Sequence, residues 1–160
     1  MINQKSITIS YTEFEGRDHL NESELLLCES AVNSAKKAYC PYSKFSVGAA
    51  VLLESGDIVT GNNQENAAYP SGLCAERVAL FYAGAQYGNI APKTMAIAAL
   101  IDGELTDNPV TPCGACRQVF AEIENRYHKP FSIFLIGKEK IIKIDNSVDL
   151  LPLAFKLSEC

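Results

Sequence analysis

Apolar residues recur at Leu25, Leu26, Cys28, Ala31, Val32, Ala35 and Ala38, the spacing of one helix face. Asn21 followed three residues later by Glu24 resembles a capping box, which sets where that helix starts. Pro41 restricts the residue before it, so the helix is expected to stop near Tyr39. Beyond the turn at Pro41-Tyr42-Ser43 the period changes to two. Phe45, Val47, Ala49, Val51 and Leu53 alternate and predict a strand from about Ser46 to Glu54. Ser55-Gly56-Asp57 is a hairpin turn, too short for a crossover, so the next strand, from Ile58 towards Gln64, must run antiparallel. A helix beginning at Cys74 is predicted by Val78, Ala79, Phe81, Tyr82 and Ala85, with Gly88 suited to its end. Thr94–Ile101 is almost continuously apolar, as expected of a central strand buried on both faces.

A polar loop from Asp102 to Thr111 leads to Pro112, a residue favoured in the first turn of a helix. Val119, Phe120, Ile123 and Tyr127 continue that helix, and Phe131–Ile136 is a second buried strand. Strand, helix and strand in series predict a right-handed parallel crossover. Gly137-Lys138-Glu139-Lys140 allows only a hairpin into Ile141–Ile144. Ser147 is expected to cap a last short helix containing Leu150, Leu151, Leu153 and Phe155. Near the start, Ile7-Thr8-Ile9-Ser10-Tyr11 alternates, as a strand or an extended arm does. The expected fold is α/β: a three-layer α/β/α arrangement with a mixed sheet of about five strands and helices on both faces. Residues 1–22 form an extension packed on or near the domain made by residues 23–160.

Composition narrows the function classes. The chain has 160 residues, 48% hydrophobic and 21% charged, which suits one domain with a sizeable core. The net charge of −5 argues against a polyanion as the main partner, so no nucleic acid is expected. No apolar run reaches the ~18–20 residues a membrane helix needs, and the first residues lack a signal peptide's apolar stretch. The expectation is a cytoplasmic protein with no membrane partner. A disulfide framework for the six cysteines would need a secreted context. Cys28, Cys40 and Cys160 are scattered and read as free reduced thiols.

The other three cysteines carry the chemistry. They lie in Cys74-Ala75-Glu76-Arg77 and in Pro112-Cys113-Gly114-Ala115-Cys116-Arg117-Gln118. The Cys-x-x-Cys pair lets two sulfurs reach one ion, and three protein ligands on zinc leave the fourth position open, as a catalytic site needs. Both stretches fall at helix starts, where unpaired N–H groups and the helix dipole favour thiolate over thiol. Three thiolates leave a zinc centre negative, which makes a bound water less acidic. Arg77 is the candidate counter-charge, donating to the sulfurs. Zinc can lower the pKa of its water from 15.7 to roughly 7, and Glu76 is placed to accept that proton and pass it on. An amino-substituted ring carbon losing ammonia fits this arrangement. A structural zinc site would normally have a fourth Cys or His near the first ligand, and none is there; His19 and His128 read as solvated. Taken singly, Glu76 is a first-turn helix residue favoured by the dipole, Arg77 a surface residue, and Phe45 and Phe155 core.

Together these residues resemble the cytidine deaminases, in particular the small homotetrameric type with three zinc-binding cysteines. The resemblance extends beyond the metal motifs to Pro41-Tyr42-Ser43-Lys44-Phe45-Ser46-Val47-Gly48-Ala49-Ala50, to Asn63-Gln64-Glu65-Asn66-Ala67-Ala68-Tyr69-Pro70 and to Leu150-Leu151-Pro152-Leu153-Ala154-Phe155. It covers about Leu25 to Phe155. It implies one zinc per chain on Cys74, Cys113 and Cys116, with Glu76 as proton shuttle. It also implies that Asn63 and Glu65 hold the ribose 3′-hydroxyl, that Phe45 lies against the pyrimidine, and that the Ala75 N–H reaches the base carbonyl. Tyr69 and Phe155 would come from neighbouring chains of a homotetramer with active sites at the subunit contacts. The implied reaction is hydrolytic deamination of free cytidine and deoxycytidine to uridine and deoxyuridine, in pyrimidine salvage. Two stretches depart from the family: the first twenty or so residues have no counterpart, and Lys156-Leu157 follow Phe155 where Gly-Pro is usual.

Two other functions compete. One is deamination of an aminoglycosyl-cytosine antibiotic or of cytosine within a polynucleotide. The antibiotic deaminases differ where Asn63-Gln64-Glu65-Asn66 sits, and the polynucleotide enzymes use His-x-Glu where this chain has Cys74. The other is a zinc-stabilised binding protein without catalysis, which would tolerate loss of Glu76. Sugar-hydroxyl partners such as Asn63 and Glu65 can reject substrates lacking those groups by orders of magnitude. Free cytosine is therefore expected to be turned over poorly, as is cytidine monophosphate, whose phosphate meets an acidic protein.

Overall fold

Asn21 starts the first helix as its sequence implies. In the computed structural model, which describes residues 1–157, α1 spans Glu22–Ala35. The Asn21 side chain accepts from the Glu24 amide and the Glu24 carboxylate accepts from the Asn21 amide, each at 3.0 Å. The helix ends at Ala35, short of Tyr39, because the Tyr39 amide is taken by the Asn63 carbonyl at 3.0 Å.

The strands are β1 (Thr12–Glu15), β2 (Phe45–Leu53), β3 (Ile58–Asn62), β4 (Pro92–Ile101), β5 (Glu104–Leu105), β6 (Ser132–Ile136) and β7 (Lys140–Ile144). The other helices are α2 (Ala75–Tyr87) and α3 (Gly114–Tyr127). The sheet has seven strands in the order β1-β7-β6-β4-β2-β3, with β5 paired to β4. It is mixed: β4 and β6 are parallel, joined through α3, and every other pairing is antiparallel. The β2–β3 hairpin turns at Gly56, whose φ of 92° is left-handed backbone open to glycine.

The count exceeds the expected five by β1 and β5. β5 is a two-residue return onto Leu100 and Ile101 inside the polar loop, too short to leave a periodic signal. β1 pairs with β7 and starts just past the alternating stretch Ile7–Tyr11; residues 1–11 belong to no helix or strand. Two local expectations are corrected. Cys113 takes the cap position of α3, so Pro112 stands outside the helix, one residue before the cap. Ser147 opens a single 3-10 turn, Ser147–Leu150, and caps nothing: its hydroxyl donates to the Glu124 carboxylate. Cys160 lies outside the described residues.

The sheet separates two apolar layers. α1 packs on one face, with Leu27, Cys28 and Ala31 against Ala50, Ala96, Ala98 and Phe134. α2 and α3 pack on the other, with Ala79, Leu80 and Phe120 against Ala49, Val51, Met95 and Ile97. Helices therefore cover both faces, and β4 is buried from Met95 to Leu100. The approach is closest at two glycines. A Cβ on Gly48 would collide with the Ala31 carbonyl oxygen and the Ala35 amide of α1, and one on Gly61 would lie 2.5 Å from the Ala79 amide of α2. Because α2 and α3 share a face, their starts can converge at one place.

Candidate active site

Cys74 and Cys113 hold the cap positions of α2 and α3, both with extended backbone (φ −70° and −69°). Neither side chain caps its own helix, so both sulfurs are free to face each other. Cys116 lies in the first turn of α3 and is buried. The Cys74 and Cys113 Sγ atoms are 3.7 Å apart and those of Cys113 and Cys116 3.6 Å; all three lie within 4.8 Å of one another. Tetrahedral zinc with bonds of about 2.3 Å places its sulfurs about 3.8 Å apart. The three thiols thus fit one zinc ion per chain.

Arg77 follows from the same helix start. Its Nη2 approaches the Cys74 Sγ at 3.7 Å, and its Nε is buried without a protein partner among the described residues. The Cys74 thiol is held down at about 5, first by the Cys116 thiol beside it and then by the Arg77 guanidinium. The same pairing, with burial, pushes Cys116 up.

Glu76 is 4% exposed and reaches the wall of a cleft of about 770 Å³, within the range of small-molecule sites. Burial raises its carboxyl above the usual carboxylate range; the charge on Cys74 adds to this, while Cys116 and Arg77 oppose it. A buried acid with a raised pKa beside a cation site is a group able to hold a proton during a reaction.

The cleft also gathers Phe45, Asn63, Glu65, Tyr69, Arg77, Cys74 and Cys113. Asn63 ties the end of β3 to β2. Its Oδ1 accepts from the Val47 amide at 2.7 Å and its Nδ2 donates to the Phe45 carbonyl at 2.9 Å. Glu65 accepts with one oxygen from the amides of Tyr42 (2.9 Å) and Ser43 (3.2 Å). A bond to the Ser43 hydroxyl, foremost, and those amides hold its carboxyl below the usual range. Replacing Asn63 by Ala strands one donor and one acceptor of β2. We expect a loss of about 1–3 kcal/mol in stability, read as a lower urea midpoint.

Ala75 is buried at the first position of α2, where the backbone N–H has no intrahelical partner. Phe155 stands apart: it is 71% exposed and does not line the cleft of its own chain, and its carbonyl accepts from Gln118 Nε2 at 2.9 Å. Tyr69 borders the cleft of its own chain and meets Tyr42 edge-on, ring centroids 6.3 Å apart. The sequence assigns no site role to Tyr42, Ser43, Val47, Leu73, Val110 and Thr111, which line the cleft as well. Val47 was within reach, since it shares the strand face of Phe45. Val110 and Thr111 come from the loop before Cys113, where no periodicity points anywhere.

A family model described as the cytidine and deoxycytidylate deaminase zinc-binding region matches residues 21–128. A cytidine deaminase of Sporosarcina psychrophila is 43% identical over 132 residues, covering 82% of this chain and 90% of that protein. One of Halalkalibacterium halodurans is 47% identical over 98 residues, 61% of this chain and 70% of that one. Among solved structures, cytidine deaminase from Burkholderia pseudomallei superposes with a TM-score of 0.67 at 39% identity, covering 82% of this chain and 98% of that chain. The enzyme from Mycobacterium tuberculosis gives 0.63 at 34% identity, covering 83% and 97%.

Proposed function

Because the chain belongs to the cytidine and deoxycytidylate deaminase zinc-binding family, we propose that it hydrolyses free cytidine and deoxycytidine to uridine and deoxyuridine, releasing ammonia, in a zinc-dependent reaction. The observation that carries this reading is the meeting of three thiols from two helix starts with the buried carboxyl of Glu76 at one cleft. Cys74, Cys113 and Cys116 would hold the ion, which when bound supplies a water acidic enough to react near neutral pH. Glu76 would carry protons between the attacking water and the base, its buried carboxyl being able to hold one. Oxygen replaces the amino group at the ring carbon: the C–O bond forms, the C–N bond breaks, and the water's two protons end on the neighbouring ring nitrogen and on the departing ammonia. Arg77 offsets the negative charge of the thiolates.

Phe45 offers an apolar face to the base, and the free N–H of Ala75 is a donor for its carbonyl. Glu65 takes the Tyr42 and Ser43 amides on one carboxylate oxygen, and its other oxygen would be the partner for a sugar hydroxyl. Asn63 acts beside it. The same proposal assigns Tyr69 and Phe155 to neighbouring chains in a homotetramer; its support is the exposure of Tyr69, Phe81, Tyr82 and Phe155. It also separates residues 1–22, as an extension, from a catalytic domain of residues 23–160, and sets the enzyme in cytoplasmic pyrimidine salvage. No helix among the described residues is long and apolar enough to cross a membrane.

The test is uridine release from cytidine before and after zinc removal by a chelator. We expect activity to disappear on stripping and to return at one equivalent of zinc, with free cytosine and cytidine monophosphate poor substrates. Full activity in protein verified to be metal-free would refute the zinc-dependent reading.

A further inference from the structure

We propose that Arg117 is a positioning residue for the metal centre, a strut that fixes the Cys113 loop to the C-terminal segment. This rests on the reading that the three thiols hold zinc. Cys113 is the exposed member of the three, and the loop of residues 109–112 delivers it. That loop is thinly held. Pro109 packs on Gly137, but among the described residues the stretch 109–112 makes a single hydrogen bond, from Arg117 Nε to the Pro112 carbonyl at 2.8 Å. The same guanidinium donates through Nη1 to the Leu150 carbonyl at 2.9 Å. Leu150 in turn packs on the core beneath α2 and α3 and closes the 3-10 turn that begins at Ser147.

One planar fork therefore spans an anchored carbonyl and the carbonyl next to a metal ligand. Lysine cannot copy this, since its ammonium is a point donor and not a fork. The next residue, Gln118, extends the tie by donating to the Phe155 carbonyl at 2.9 Å. Arg117 touches neither the cleft nor the thiols in this arrangement; it acts through the position of Cys113.

Zinc-loaded full-length Arg117→Ala, Arg117→Lys and Arg126→Ala would be compared with the parent by the rate of zinc release to a colorimetric chelator and by kcat and KM for cytidine. Arg126 is the internal control: it sits near the other end of α3 and also donates to a carbonyl, that of Gly88, at 3.1 Å. We expect Arg117→Ala to release zinc about 10–100-fold faster, the range for residues that orient metal ligands. Its kcat should fall with KM unchanged, Arg117→Lys should lie between it and the parent, and Arg126→Ala should release zinc at the parent rate. Parent-rate release from Arg117→Ala, or equal acceleration in Arg126→Ala, would overturn the proposal. Should Arg117→Ala not fold, Arg117→Lys decides alone: faster release supports the strut and the parent rate refutes it. A parent that takes up no zinc overturns the zinc reading itself.

Discussion

Glu76→Gln is expected to lower kcat for cytidine by about 10²–10⁴-fold, the usual worth of a positioned acid or base, while one zinc per chain is retained. The glutamine keeps the shape and the hydrogen-bonding edge of the side chain but cannot carry a proton. The metal ligands are untouched, so a loss of activity with zinc in place isolates proton transfer. Stability supplies the control. Glu76 is buried and its carboxyl is raised, so the metal-free folded state binds this proton more tightly than the unfolded chain does. The charged form therefore costs stability above the folded pKa, and that cost vanishes as pH falls below the unfolded value. A neutral amide carries no such cost, and the metal-free variant should melt no lower than the parent at neutral pH. Uridine formation, zinc content and a melting curve decide the matter together. Activity near the parent level would remove Glu76 from the reaction.

Gly48→Ala should be the most damaging small change in the core. The added methyl points from β2 into backbone atoms of α1, the Ala31 carbonyl oxygen and the Ala35 amide, and backbone cannot rotate away. Overpacking of this kind costs about 1–3 kcal/mol, and here the upper end or beyond applies because a whole helix must lift. Gly84→Ala is the comparison. Gly84 lies inside α2, where the nearest atom to an added Cβ is the end of the Arg126 side chain at 3.5 Å. That substitution should be neutral or stabilising by about 0.5–1 kcal/mol, through helix propensity alone. Urea midpoints of the two variants should therefore move in opposite directions, or one only. Equal midpoints would mean that α1 does not rest on Gly48.

Hydrophobic period carried most of the architecture. Long segments with a clear period or unbroken apolar character, such as Phe45–Leu53 and the run ending at Ile101, were legible to within two residues at each end. β5 was not, because two residues cannot display alternation. The α1 stop was misjudged because it is set by Asn63, far along the chain, and not by the local proline alone. The metal trio was legible because its spacing is a property of ligand geometry. The bonds of Asn63 were not: a side chain read as a sugar partner spends both ends on β2. Arg117 escaped for the same reason, since Leu150 lies 33 residues away and nothing local marks it as a partner.

The strand β1 has a bearing on solubility. β7 reads Lys-Ile-Ile-Lys-Ile, a short β-branched run whose outer backbone groups would otherwise form an open sheet edge. Such an edge is a template for pairing with any other chain in extended form, and aggregation starts that way. β1 occupies it over all four of its residues, from Thr12 opposite Lys143 to Glu15 opposite Lys140. What it presents in exchange is four residues long and carries Glu13 and Glu15, too short and too charged to recruit a neighbour. β1, which contributes nothing to the cleft, thereby closes this side of the sheet with a strand that is poor at pairing further.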